Sequence, residues 1–263
     1  LGLILQNLGL VEPGQSAGES AAIQWLALQA CPVAAIGTTA DLRRHTPRDG
    51  FPDLVTRHAD GDVYYCGWAS RRSFGASSWL IRRPQGNVLI DSPRWSAPLA
   101  RRIAAMGGVA AMVLTHRDDV ADHERWARAF GCERWIHQAD ADAAPQAERR
   151  LEGRDALQLA EHLQLIPTPG HTAGSLVAVL GTARQVLFSG DHLWWNPQQQ
   201  VVVASQRYCW WNWSEQLRSV ERLLELDVAW LLPGHGHRHP FEAGQLRPVL
   251  EQTLAFSRRS PGS

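Results

Sequence analysis

Four short segments of this chain set a histidine beside Gly, Asp, Pro or Thr immediately after an apolar, strand-like run: Thr115-His116, Gly170-His171, Ser189-Gly190-Asp191-His192 and Pro233-Gly234-His235-Gly236-His237. Loops that leave strand ends gather along one rim of a sheet, and glycine lets the backbone turn tightly there. The first segment continues as Thr115-His116-Arg117-Asp118-Asp119-Val120-Ala121-Asp122-His123, two imidazoles and three carboxylates in nine residues. Neutral imidazole and carboxylate are ligands of Zn²⁺ or Fe²⁺, and a hydrolytic centre needs three or four of them with a position left for water. Taken singly, each piece has a plainer reading, since Gly-His often just turns the chain and a strand-end Asp often caps a helix. The order selects the metal reading: Asp91, then His116 to His123, His171, Asp191 and His235, each closing an apolar run.

Between these segments the apolar pattern supplies two similar halves. In the first, strands are predicted at 63–66, 78–81 and 87–90, a helix at 97–106, a strand at 110–114, a helix from 121 and a strand at 134–136. In the second, strands are predicted at 163–166, 175–180, 185–188 and 201–204, a helix at 214–226, a strand at 228–232 and a helix at 241–257. Strands first and helices after, twice, predict two packed sheets with helices outside: an α+β, four-layer αββα sandwich. Residues 38–62 are polar and carry Pro47, Gly50, Pro52 and Gly61, which reads as a linker. The division is therefore a small N-terminal extension, 1–60, and a catalytic domain, 61–263.

Charge and cysteine content narrow the function. All 26 cations are arginine, so Schiff-base chemistry, a phosphate-loop lysine and a kinase lysine are excluded. The 26 acidic residues balance them, and no basic stripe is present to bind nucleic acid. No run reaches the ~20 apolar residues of a membrane helix. The opening Leu-Gly-Leu-Ile-Leu lacks the basic flank of a secretory signal. Cys31, Cys66, Cys132 and Cys209 form no CxxC pair, which argues against a disulfide framework and for a cytoplasmic location.

These strand-end residues resemble the metallo-β-lactamase-fold superfamily over about 63–257: the strand-end Asp91, the T-H…D-H segment, Gly170-His171-Thr172, Gly190-Asp191 and Pro233-Gly234-His235-Gly236. The resemblance implies the same αββα fold, with a metal site between the sheets at one edge. It assigns His116 and His171 to one metal and Asp122, His123 and His235 to a second, with Asp191 bridging. Asp91 corresponds to the family's structural Asp, which supports the ligand loops. The family motif is H-x-H-x-D-H, whereas here eight residues run from His116 to His123 and the second His is absent. Asp118, or else Asp119, stands in for it, and the added carboxylate leaves iron open beside zinc, as one or two ions. His192 and His237 are expected beside the ligands.

The chemistry so implied is hydrolysis by metal-activated water of a small ester, thioester or lactone, with Asp122 orienting the nucleophile or accepting its proton. Two alternatives stand beside it: an iron-dependent redox enzyme of the same fold, and a non-catalytic, metal-stabilised binding module. With no lysine present, Arg207 is the expected partner of an anionic substrate group. Trp194, Trp195 and the tryptophans of Tyr208-Cys209-Trp210-Trp211-Asn212-Trp213 could wall a substrate pocket, fill the core or form a homo-oligomer interface. The partner is thus a small molecule, with neither nucleic acid nor membrane involved. Cys31-Pro32 resembles the last cluster-ligand segment of bacterial ferredoxins, but no cysteine stands between residues 1 and 30 to complete a set. Residues 1–60 accordingly read as a degenerate or truncated ferredoxin-like remnant.

Overall fold

The structure, a computed structural model, describes residues 51–259. The amphipathic pattern at 19–30, which predicts a short helix, and the Cys31-Pro32 segment lie outside the described residues. Strands β1 (Asp53–Thr56), β2 (Asp62–Tyr65), β3 (Trp79–Arg82), β4 (Val88–Ile90), β5 (Ala111–Val113), β6 (Glu133–His137) and β7 (Arg149–Leu151) form one sheet in that spatial order. Its first four strands pair antiparallel and the last four parallel, the parallel steps β4–β5 and β5–β6 being bridged by helices α1 (Ala97–Ala105) and α2 (His123–Phe130). Parallel neighbours require such crossovers.

The second sheet is built from β8 (Leu157–Ala160), β9 (Leu163–Pro167), β10 (Leu176–Leu180), β11 (Gln185–Gly190), β14 (Val228–Pro233) and β15 (His239–Pro240), in the order β15-β14-β11-β10-β9-β8. A ribbon of β12 (Trp194–Asn196) and β13 (Val201–Val203) and helix α3 (Trp213–Glu221) lie between β11 and β14 in the chain, and α4 (Leu246–Arg259) follows β15.

Strand β10 shows why the layers stack. Every residue of Leu176–Leu180 is buried, and the faces alternate. Leu176, Ala178 and Leu180 join a central cluster with Trp79, Ile81 and Ile90 of the first sheet, while Val177 and Val179 join an outer cluster with Val220 of α3, Leu223 just after it, and Leu250 and Leu254 of α4. A strand buried on both faces reads as an unbroken apolar run rather than an alternating one. On the far side of the first sheet, Leu99 and Ile103 of α1 and Trp126 of α2 close the fourth layer. The αββα sandwich expected from the sequence is the fold observed. Among the described residues, no helix is long and apolar enough to cross a membrane.

Two expectations change. The polar stretch read as a linker contributes β1, which pairs antiparallel with β2, and Phe51 beside it is buried edge-on against Tyr65 at 5.3 Å. The last helix starts at Leu246 instead of near 241, because residues 239–240 pair with β14 and the Phe241 amide donates to Ala229 O at 2.9 Å.

On the β6–β7 edge, Glu148 accepts from the Arg134 amide and guanidinium at 2.6–3.0 Å. These hydrogen bonds hold the Glu148 carboxyl down at about 2. A folded-state value below the ordinary carboxylate one contributes stability that is present above about pH 4.5 and is lost as pH falls toward 2. Glu148→Gln is therefore expected to cost stability at pH 7 and only a small part of that at pH 2.5. Urea midpoints at both pH values check this.

Candidate metal centre

The four strand-end segments meet, with Asp91 after β4, at the edge where β5, β9, β11 and β14 terminate. Asp91, at the end of β4 with φ 54°, is buried and accepts the Thr115 amide at 2.8 Å and the Thr115 hydroxyl at 2.9 Å. Thr115 Oγ1 lies 3.0 Å from His116 Nδ1. Since the hydroxyl proton goes to Asp91, Oγ1 accepts from Nδ1–H, and the Nε2 lone pair of His116 faces the interior. His171 is set the same way, with Nδ1 donating to Tyr208 O at 2.6 Å.

Those Nε2 atoms face carboxylates. His116 Nε2 is 3.5 Å from Asp191 and 3.9 Å from Asp119; His171 Nε2 is 3.4 Å from Asp118 and 3.9 Å from Asp191; His235 Nε2 is 3.6 Å from Asp191 and 3.9 Å from Asp119. Two sets have ligand atoms all within 4.8 Å of one another: His116, Asp118 and His171, and His116, Asp119 and Asp191. Asp191 is the common neighbour of all three imidazoles. His116 Nε2, His171 Nε2, both Asp119 oxygens and Asp191 Oδ1 are buried without a hydrogen-bond partner. A buried carboxylate without partners costs several kcal/mol, on the order expected for desolvating an ion, unless a cation or proton compensates it. These converging, unpartnered lone pairs fit divalent cations.

Electrostatics agree. Burial pushes the Asp119 carboxyl well up, and the neighbouring Asp191 adds to it. Burial likewise raises Asp91, to about 7, against the lowering influence of His116. For His116 burial acts downward, but Asp119 and Asp191 outweigh it and hold it near 10. Three carboxylates in so small a volume demand positive charge, which protons on the imidazoles or cations supply.

Close approach depends on glycine. A Cβ on Gly234 would stand 2.5 Å from Asp191 Oδ1 and 3.0 Å from Asp119 Oδ2, and one on Gly170 would stand 2.3 Å from the Gln216 Cα. The second clash is with backbone and cannot be relieved by a rotamer. Gly170→Ala is expected to shift the His171 loop and lower cation affinity at least tenfold, measured by competition with a chelator.

The eight-residue run from His116 to His123 folds in an unexpected way. The Arg117 amide donates to Asp140 at 3.0 Å, the Ala121 amide donates to Ser73 Oγ at 3.1 Å, and Ser92 Oγ donates to Ala121 O. Pinned at both ends of this stretch, the chain turns Asp119 inward and leaves Asp122 and His123 outside both ligand sets. Asp122 sits in the N-cap position of α2 with φ 57°, its carboxylate accepting from the Trp95 amide at 2.8 Å and lying 3.7 Å from Arg72. His123 Nδ1 is 3.2 Å from the Arg134 guanidinium. Of the residues expected around a second cation, His235 and Asp191 lie at the cluster, with Asp119 3.9 Å from His235 Nε2.

Other expected residues divide. Trp194 lines the cavity over the cluster, whereas Trp195 is buried in the outer cluster and stacks on His239 at 3.7 Å. His192 is buried with neither ring nitrogen partnered, and burial pushes it down to about 3, so it is neutral. His237 contributes its carbonyl to the Trp195 amide at 3.1 Å. Arg207 is exposed, with its guanidinium 5.7 Å from the Tyr208 ring centroid rather than in the cavity lining.

Asp140 escapes the sequence reading. It is buried, and besides the Arg117 amide it accepts from Thr172 Oγ1 at 2.5 Å and from the Gly174 amide at 3.1 Å. It ties the loop of His116, Asp118 and Asp119 to the loop of His171. A cavity of about 780 Å³ opens above, reaching Asp118, His171, Asp191 and His235, with Phe74, Trp194, Tyr208 and Trp210 as its remaining side chains.

Comparison with known proteins places this geometry. A structure of the DIM-1 metallo-β-lactamase exposed to ceftazidime superposes with a TM-score of 0.58 at 16% identity, over 78% of this chain and 96% of that one. The metallo-β-lactamase of Pontibacter korlensis gives 0.57 at 16%, over 79% and 99%. A hydroxyacylglutathione hydrolase of Acidiphilium cryptum (strain JF-5) is 28% identical over 109 residues, 40% of this chain and 45% of that protein, so the match spans less than half of the relative. The profile of the metallo-beta-lactamase superfamily matches residues 71–235, more than half of the sequence. On that match, and on the sandwich fold shared with these structures, the chain belongs to the metallo-β-lactamase superfamily.

Proposed function

We propose that this protein is a metal-dependent hydrolase of a small ester, thioester or lactone, with zinc as the resident cation. The observation that carries the reading is the set of buried, unpartnered ligand atoms on His116, His171, Asp119 and Asp191 facing an open cavity. His116, Asp118 and His171 would hold one cation and Asp119 and His235 a second, with Asp191 between them. Bound divalent cations supply Lewis acidity, which acidifies water and polarises a carbonyl oxygen.

The chain's own residues do the rest. The Asp91–Thr115–His116 chain and the Tyr208 carbonyl fix the two imidazole tautomers, so the ligand lone pairs need no reorganisation. Asp118 takes the role first expected of Asp122. It lines the cavity with 27% of its side chain exposed, and the His171 imidazole 3.4 Å away, with His116 beyond it, holds it below the usual carboxylate range, hence ionised and able to orient a water or take its proton.

Chelator treatment is expected to abolish hydrolysis and lower the melting temperature, and zinc to restore both. Predominant iron on elemental analysis, together with oxygen consumption, would replace this reading with the redox one. Full metal content without turnover across ester, thioester and lactone panels would leave a binding module.

A further inference from the structure

The aromatic side chains at the cavity mouth are held in place by the metal loop itself. The Trp210 and Trp211 amides donate to His171 O at 2.9 and 3.1 Å, and the Asn212 amide and Cys209 Sγ donate to Gly170 O at 3.0 Å each. In return His171 Nδ1 donates to Tyr208 O at 2.6 Å. The segment 208–212 is thus laced to residues 170–171, and its rings follow. Trp210 lies 6.2 Å from the His171 ring, Tyr208 lies 6.4 Å from Trp210, and Trp194 lies 6.5 Å from Tyr208, each pair inclined. The surfaces are nonetheless open: Trp210 is 64% and Tyr208 49% exposed, and Phe74, on the β2–β3 connection, is 76% exposed. Large apolar rings fixed in position and left bare beside a site mark a binding surface.

Among the described residues no arginine lines this cavity, and lysine is absent from the chain. Four arginines near the lining residues in sequence are engaged elsewhere, while Arg71 stands exposed on the 3-10 turn before Phe74. Arg72 is 3.7 Å from Asp122, Arg117 pairs with Asp142 at 2.7 Å, Arg238 lies 5.9 Å from the Tyr65 ring, and Arg207 packs on Tyr208. A substrate carboxylate bound here would find no fixed cation from the protein, whereas a flat apolar group would find several faces.

We infer that the cavity selects an uncharged substrate carrying an aromatic or similarly broad apolar group, packed against Phe74, Trp194, Tyr208 and Trp210. The inference rests on the hydrolase reading for its chemistry and deepens it by naming the substrate class. It is tested on the metal-loaded full chain by quenching of tryptophan fluorescence with three probes of similar shape: 4-nitrobenzyl alcohol, 4-nitrobenzenesulfonate and 4-nitrobenzyltrimethylammonium. Hydrolysis of 4-nitrophenyl 3-phenylpropionate and of the 4-nitrophenyl monoester of glutarate is measured alongside.

The neutral probe is expected to bind at least tenfold more tightly than either charged one. Trp210→Ala and Phe74→Ala are each expected to weaken it severalfold while cation content stays unchanged. The neutral ester is expected to have the higher kcat/KM. Equal or tighter binding of the sulfonate or the ammonium overturns the inference, as does failure of all three probes to bind because a second copy of the chain covers the rings. Selective binding of the neutral probe with neither ester turned over sustains the inference and removes the hydrolase reading, so the two fail separately.

Discussion

Asp119→Asn is expected to remove about one equivalent of bound cation and lower kcat/KM by more than a hundredfold, beyond the ~10–100-fold range of residues that merely support a ligand. Both Asp119 oxygens are buried without partners, and they lie 3.9 Å from His116 and His235. Asparagine preserves the shape but offers neither the charge nor two acceptors. The metal-free protein should respond in the opposite direction. Without cations Asp119 is a buried carboxylate beside Asp191, so neutralising it relieves repulsion and raises the melting temperature. Opposite signs for stability and activity distinguish a ligand from a residue that only holds the fold. Asp122→Asn, in contrast, should leave cation content unchanged, because the Asp122 carboxylate is bonded to the Trp95 amide and faces Arg72. Elemental analysis, calorimetry and steady-state kinetics on the two variants separate these outcomes.

Asp140→Ala is expected to be the most destabilising single change near the site. It strands the Arg117 and Gly174 amides and takes a partner from the Thr172 hydroxyl, which retains Ser175 Oγ at 2.8 Å. Each buried donor left unsatisfied costs ~1–3 kcal/mol, so the total is about 3 kcal/mol, or roughly 6–12 °C in melting temperature for a domain of this size. The carboxylate joins two ligand loops that approach from different sheets, so cation affinity should fall as well. Asp140→Asn keeps one acceptor and should recover part of the stability. Recovery of stability without recovery of cation affinity would show that loop alignment, not folding, is the main contribution of Asp140.

The sandwich was legible because its strands carry their burial in their composition: Leu176–Leu180 is apolar on both faces, as a strand between two layers must be. The segments bearing His116, His171, Asp191 and His235 were legible because tight loops at strand ends leave few alternatives to convergence. Strand β1 was not, since Asp53–Thr56 lies on a sheet edge with no buried residue. Asp119 was named only as the alternative to Asp118, for a physical reason. A motif carried over by spacing takes the local backbone with it, and here two further residues separate His116 from Asp122, while Ser73, Ser92 and Asp140 fix how that surplus is folded. The lengthened gap was the available signal, but those anchors lie from 23 to 48 residues away from their partners in the chain, and local pattern does not register them. Arg207 was placed near the cavity by proximity in sequence, yet its guanidinium stays 5.7 Å from the Tyr208 ring centroid and does not line the cavity.

The central claim is that Asp119, not Asp122 or His123, completes the second half of a paired cation site. An anomalous-difference map from crystals of the zinc-loaded protein, collected on both sides of the zinc absorption edge, tests it directly. The expected result is density within coordination distance (~2 Å) of His116, Asp118 and His171, and of Asp119, Asp191 and His235. A peak ligated by Asp122 and His123, with Asp119 turned away, would contradict it.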